Sequence, residues 1–295
     1  MSLQDDISAA IERATGSVVR ARVPWSIASG SINRTASIGA GGARYFVKLN
    51  DAPASLEMFE AEAAGLRLLA QPGVLRVPQP ICCGTSGVTA YLVLEHIELG
   101  RGGAPGAECL GAGLAGIHRM TRPRFGWDRD NTIGSTPQIN RPTDDWVAFY
   151  RDHRLGFQLE LAERNGYGGP LTKAGFRLLE KLPLVCAGHH PVASLLHGDL
   201  WGGNAAFDRN GVPVLYDPAV YFGDRETDLA MTELFGGFDA SFYRAYQAAW
   251  PLTVGYELRR DLYQLYHVLN HLNIFGAGYA DHARRLIDRL LAAVR

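Results

Sequence analysis

The chain has 295 residues, of which 47% are apolar and 20% charged, the balance of a soluble globular protein and not of a disordered one. A formal net charge of −1 leaves no footprint for nucleic acid or an anionic membrane surface. No apolar run approaches the ~20 residues needed to span a bilayer, and the start, with Asp5 and Asp6, lacks a basic-then-apolar signal pattern, which points to the cytosol.

Residues 3–14 place Leu3, Ile7, Ile11 and Ala14 at helical spacing. Strand-like alternation from Val18 leads into Ser29-Gly30-Ser31-Ile32-Asn33, which reads either as a phosphate-covering loop or as an ordinary hairpin turn. A strand at 35–38, a glycine turn at 39–42 and a strand at 44–49 complete a β-meander with Lys48 on its third strand. The chain has 29 Lys and Arg together but only three lysines (Lys48, Lys173 and Lys181), which sharpens Lys48, the sole lysine before residue 173. Ser55–Ala70 reads as a helix that stops before Pro72-Gly73. It carries Glu60, expected on the surface, and Glu62, expected to pair with Lys48. Strands at 81–85 and 90–95 follow, then Glu95, His96 and Ile97, a connector that could offer backbone groups to an adenine edge, and a glycine-rich run at 100–106. The boundary falls after residue 96, with five strands and one key helix before it and mostly helices after it.

Gly111-Ala112-Gly113-Leu114-Ala115-Gly116 is a literal GxGxxG, but no strand precedes it and Leu110, Leu114 and Ile117 keep helical spacing, so helix packing is expected instead of a dinucleotide site. Helices are expected at 144–164, 171–186, 225–235, Ala240–Ala249, Tyr256–Phe275 and 281–294. His267 and His271, four residues apart, lack a third ligand or an HExxH glutamate, which favours a packed or hydrogen-bonded role. Cys82, Cys83, Cys109 and Cys186 show no CxxC spacing and read as reduced thiols.

The chemistry concentrates in residues 197–217, HGDLWGGNAAFDRNGVPVLYD. Asp199 and Asn204 flank a glycine-rich loop, and two short apolar strands joined across Asn210-Gly211 form a hairpin that returns Asp217 to Asn204. Three oxygen-bearing side chains then converge, a donor set suited to Mg2+ completed by substrate phosphates. The pattern is that of a kinase: Asp199 as base, Asn204 and Asp217 on metal, Lys48 set by Glu62 on phosphate. Trp201 reads as a sugar-stacking platform or as core packing, and Asp228 as a carboxylate that holds the loop through His197 or nearby N–H groups.

With these motifs assembled, the sequence resembles the fructosamine (ketosamine) kinase family within the aminoglycoside-phosphotransferase-like fold, over residues 29–279. The resemblance is carried by Phe59-Glu60-Ala61-Glu62, Asn131-Thr132-Ile133-Gly134, the 197–204 run, Asp217-Pro218-Ala219 with Tyr221, and Gly223-Asp224-Arg225-Glu226 with Asp228 to Met231. Tyr263-Gln264-Leu265-Tyr266 with Asn270 completes it. It implies an α+β bilobal protein-kinase-like fold, residues 1–96 forming a nucleotide-binding lobe with a five-stranded antiparallel sheet and 97–295 a catalytic lobe. It also implies ATP and Mg2+, and phosphorylation at O3 of a ketosamine, free or protein-bound, that leads to deglycation. Another small-molecule kinase, acting on aminoglycoside, choline or sugar, shares Asp199, Asn204 and Asp217, and a non-catalytic nucleotide-binding protein is the third reading.

Overall fold

The computed structural model describes residues 2–19, 27–30, 32–40 and 43–294. Ser31, Gly41-Gly42 and residues 20–26 of the strand-like stretch expected from Val18 lie outside the described residues, while Val18 and Val19 are not in a strand. The alternating segments pair into a five-stranded antiparallel sheet of β1 (Ile27–Ser29), β2 (Arg34–Ala40), β3 (Ala43–Asn50), β4 (Pro80–Ser86) and β5 (Thr89–Glu95), in the order β1-β2-β3-β5-β4. Helix α1 (Leu3–Thr15), closed at its start by a capping box between Ser2 and Asp5, lies on one face, and α2 (Ser55–Ala70) on the other.

Because side chains alternate across a strand, Tyr45, Val47, Leu49, Tyr91 and Val93 join Ile7 and Ile11 in one core. Leu92 and Leu94 join Phe59, Leu66 and Leu69 on the opposite face. Strand β5 is thus buried on both sides, the physical reason for its unbroken apolar run. The same alternation turns Lys48, between Val47 and Leu49, towards α2 and the cleft.

Beyond β6 (Leu99–Gly100) the chain is mainly helical: α3 (Ala104–His118), α4 (Trp146–Tyr150), α5 (Phe157–Ala162), α6 (Pro170–Val185), α7 (Glu226–Leu234), α8 (Ala240–Ala249), α9 (Tyr256–Phe275) and α10 (Ala280–Ala293). The single helix expected over 144–164 is broken into α4 and α5 by a wider π-type turn at Arg151–Gly156, where the Arg154 side chain is drawn inside. In α3 a Cβ on Gly111 would come within 2.1 Å of the Phe242 carbonyl oxygen on α8, and one on Gly113 within 2.4 Å of Leu75. The GxGxxG is a helix-packing surface.

Short strands frame the cleft: β7 (Thr121–Arg122), β8 (Asn131–Ile133), β9 (Thr136–Gln138), β10 (Ala193–Leu196), β11 (Ala205–Asp208), β12 (Pro213–Leu215) and β13 (Tyr221–Gly223). They form sheets ordered β13-β10-β7 and β12-β11-β6 and the hairpin β8-β9. In the β11–β12 hairpin only Gly211 is left-handed (φ 78°), and its N–H donates to the Asp208 carbonyl at 2.9 Å. Asn210-Gly211 is therefore the end of a wider loop and not a two-residue type I′ turn. One main core runs from α2 and the inner sheet face through the helical body without a break at residues 96–97. Among the described residues no helix is long and apolar enough to cross a membrane.

Candidate active site

Lys48 is only 4% exposed, and its Nζ donates to Glu62 Oε1 at 2.5 Å and to Asp217 Oδ1 at 2.6 Å. Burial by itself would lower its pKa, but the two carboxylates outweigh that and hold the ammonium above the ordinary lysine range. Burial in turn pushes Glu62 up, against the pull of Lys48. Glu60 is exposed with Arg129 4.0 Å away, the surface role expected of it. The ammonium is thus fixed between a helix of the sheet side and the end of a strand on the helical side.

Strand β10 delivers the loop that starts at His197. Asp228, on α7, accepts the backbone N–H of His197 with Oδ2 at 2.7 Å and that of Gly198 with Oδ1 at 2.8 Å. His118 Nε2 lies 3.1 Å from the same Oδ2, and His118 Nδ1 lies 2.8 Å from the Tyr246 hydroxyl. Burial would raise the Asp228 pKa, yet His118, His197 and the Gly198 N–H together bring it below the usual carboxylate value. His197 is buried, which lowers its pKa and keeps it neutral. Its Nδ1 accepts the Asp199 N–H at 3.3 Å, so Nε2 carries the proton and donates to the Tyr216 carbonyl at 3.0 Å. Gly198 (φ 83°) is obligatory, since a Cβ there would sit 2.0 Å from the Ala219 carbonyl oxygen.

Asp199 lies in the cleft floor with its side chain 22% exposed. Burial raises its pKa to about 7; the Asn204 amide opposes the rise, while Asp217 and Asp228 add to it. An ordinary aspartate value near 4 therefore does not describe this group. Asn204 Nδ2 donates to Asp199 Oδ2 at 3.1 Å, to the Asp199 carbonyl at 2.8 Å and towards the Asp217 carbonyl at 3.4 Å. The Tyr216 N–H donates to the Asn204 carbonyl at 3.1 Å, so the hairpin does bring Asp217 back beside Asn204. Asp217 has φ 55°, a left-handed backbone rare outside glycine, of the kind that clusters at functional sites. Its side chain, 47% exposed, points one oxygen at Lys48 and leaves the other to the cleft. With its nitrogen turned to these partners, Asn204 presents its oxygen elsewhere. A carboxylate and an amide oxygen are the hard donors that Mg2+ prefers, and these residue types fit that ion.

The cleft is a cavity of about 740 Å³ lined from both sides, by Gly30, Asn33, Lys48 and Glu62 and by Asp199 and Asp217 among others. Gly30 donates its N–H to the Asn33 carbonyl at 2.9 Å, and the Asn33 side chain accepts from Asn50 Nδ2 at 2.9 Å. Glu95, His96 and Ile97 line the cavity too, but the N–H of Glu95 is taken by the Gln79 carbonyl and that of His96 by the Arg44 carbonyl. Of the three connector N–H groups, that of Ile97 makes no hydrogen bond among the described residues. The Glu95 carboxylate is held by Arg76, which also binds Asp208 at 2.7 Å and ties the connector to the β11–β12 hairpin. Trp201 is not core: it is 38% exposed in the cleft wall, its ring lying over Gly203 and edge-on to Phe235 at 6.0 Å.

Several polar groups escaped the sequence reading. Gln138 and Asn131 donate to the Ala219 and Val220 carbonyls at 3.0 and 2.9 Å, pinning the segment just past Asp217. Tyr266 donates to Gln138, and Asn140 links Asn131 to the buried Arg154. The amides of Asn131, Gln138 and Asn140 look solvated in sequence, and only their buried hydrogen bonds show that they are buttresses. His189, Asp224 and Glu226 also converge. Tyr263 donates to Asp224 and Arg259 makes two bonds to Glu226, so protein donors already satisfy both acids. His271 Nδ1 lies 2.8 Å from the His267 carbonyl, the hydrogen-bonded role expected for that pair. Cys82, Cys83 and Cys186 have thiols raised by burial, the state of unreactive cysteines.

Compared with known proteins, residues 3–293 match the profile of the family described as fructosamine kinase. A Synechocystis protein named as a probable ketoamine kinase is 44% identical over 286 residues, covering 97% of this chain and 96% of its own. The chloroplastic protein-ribulosamine 3-kinase of Arabidopsis thaliana is 42% identical over 92% of this chain and 83% of its own. A solved structure from Thermobifida fusca, named for fructosamine-3-kinase, superposes with a TM-score of 0.87 at 30% identity, covering 98% of this chain and 99% of that one. An aminoglycoside phosphotransferase solved with ADP and hygromycin B gives a TM-score of 0.62 at 19% identity over 98% of both chains, a likeness of fold.

Proposed function

The chain belongs to the fructosamine kinase family, and from that premise we propose that it transfers the γ-phosphoryl group of ATP to the O3 hydroxyl of a ketosamine, in support of deglycation. The observation that carries this reading is the convergence of Lys48, Asp217, Asn204 and Asp199 on one cleft, with every charge that phosphoryl transfer needs.

Residues 1–96 are assigned to the nucleotide and 97–295 to catalysis and the acceptor, a division of roles across one continuous core. The Ile97 N–H, beside Glu95 and His96, is the connector donor for an adenine edge. Ser29, Gly30, Ser31 and Asn33 are assigned to cover the phosphates. Lys48, oriented by Glu62, directs its ammonium at phosphate oxygens in exchange for its bond to Asp217. Asp199 orients the sugar hydroxyl and accepts its proton as the oxygen attacks phosphorus in line. A base near 7 is better matched to neutral pH than an ordinary carboxylate. Asn204 and Asp217 would hold Mg2+, whose charge offsets that of the β- and γ-phosphate oxygens. Asp228 and His197 keep the loop in register, and Trp201 offers a ring face to the sugar.

The test is Mg-ATP turnover against ketosamines of different sugar length, with aminoglycosides and choline as controls. Turnover is expected with a ketosamine, reduced at least ~10²-fold in Asp199→Asn while ATP still binds. ATP consumption with the controls alone would overturn the reading in favour of another small-molecule kinase.

A further inference from the structure

His267 sits on α9, directly behind the catalytic loop. It is 3% exposed, and its Nδ1 is enclosed by protein with no hydrogen-bond partner among the described residues. An enclosed, unpaired ring nitrogen costs on the order of 1–3 kcal/mol, so a use for it is expected. The Nδ1 atom lies 4.0 Å from Asp199 Oδ1, while the other carboxylate oxygen, Oδ2, is already held by Asn204. The ring is braced edge-on by Tyr266 at 5.2 Å, and its helix is fixed where His271 bonds the His267 carbonyl.

We propose that His267 is a positioning residue for Asp199, donating Nδ1–H to Oδ1 as the acceptor hydroxyl enters. A movement of about 1 Å in the carboxylate brings the pair to bonding distance, and catalytic bonds that are long before substrate binds commonly tighten afterwards. Asn204 on one oxygen and His267 on the other then fix the carboxylate plane, leaving its remaining lone pairs for the hydroxyl. Burial pushes the ring pKa down to about 3, so the imidazole is neutral and has one proton to place. Nothing in the 197–217 motif signals this contact, because it comes from a helix some seventy residues later.

The inference rests on Asp199 being the base. Two substitutions of similar polarity separate positioning from packing. His267→Asn puts an amide nitrogen near the place of Nδ1, whereas His267→Gln puts it near that of Nε2. Turnover of ketosamine by His267→Asn is expected within about threefold of the parent, and by His267→Gln lower by about tenfold, the worth of one charge-assisted bond. KM for ATP is expected to stay unchanged in both. Equal kcat in the two variants, whether both high or both low, would overturn the inference and leave Asp199 untouched. Absence of ketosamine turnover in the parent enzyme would instead overturn the reading beneath it, and this inference with it.

Discussion

Lys48 and Arg154 are both buried cations, one on the sheet side of the cleft and one in the helical body, and their burial is offset by opposite means. Lys48 is held by two carboxylates, Glu62 and Asp217, at 2.5 and 2.6 Å. Arg154, fully buried, makes no ion pair among the described residues. Its guanidinium donates to the Ile139 carbonyl at 2.6 Å and the Asn140 side chain at 2.7 Å and lies over the rings of Tyr221 and Phe149 at 4.0 and 4.6 Å. A compact ammonium is stabilised by point charges it can exchange for others, whereas a planar fork is stabilised by fixed carbonyls and ring faces. The first arrangement lines the cleft; the second closes on itself and braces the segment past Asp217.

This contrast can be broken by substitution. The largest effect is expected at Lys48: Lys48→Met should lower kcat by about 10²–10³-fold, the loss typical of a removed transition-state donor. Lys48→Arg should not restore it, because a fork cannot fit between Glu62 and Asp217, and steady-state kinetics with both variants decides this. Arg154→Met is expected to behave in the reverse manner. It should lose about 3 kcal/mol of stability through the stranded Ile139 carbonyl and Asn140 amide, read from the urea midpoint, with kcat per folded molecule kept within a few-fold. A kcat loss at Arg154 as large as that at Lys48 would erase the distinction.

The smallest effect concerns Asp199, a half-buried carboxyl with no cation of its own. Its folded pKa, about 7, lies above the ordinary value of 3.8, so its contribution to stability is full below pH 3.8 and is lost as pH rises through 7. Asp199→Asn should therefore melt a few degrees higher than the parent at pH 8, by roughly the few tenths to few kcal/mol of a relieved buried charge. The gap should narrow as pH falls from 7 towards 4, as scanning calorimetry at several pH values would record.

Much of this was legible beforehand, and the reasons are local. Ser55–Ala70 and Tyr256–Phe275 coincide with the helices expected, because 3.6-residue periodicity between breakers is a property of the chain itself. The hairpin that returns Asp217 to Asn204 was readable from two apolar runs around a glycine, although its turn differs from the Asn-Gly type expected. The π-type turn at Arg151–Gly156 was not readable, since it answers to a carbonyl and an amide on a distant loop. The occupied N–H groups of Glu95 and His96 were hidden for the same reason: their partners are Gln79 and Arg44.

The sequence by itself singled out Lys48, Asp199, Asn204 and Asp217 as candidates for the chemistry, because an Asp, an Asn and a second Asp at hairpin spacing follow a scarce lysine upstream. Only the tertiary structure decided how those groups are tuned. Burial lifts the Asp199 pKa to about 7, Asp228 gathers two backbone N–H groups and His118, and His267 arrives behind Asp199 from a helix far along the chain. Such effects depend on desolvation and on contacts between distant segments, quantities that exist only once the chain has packed.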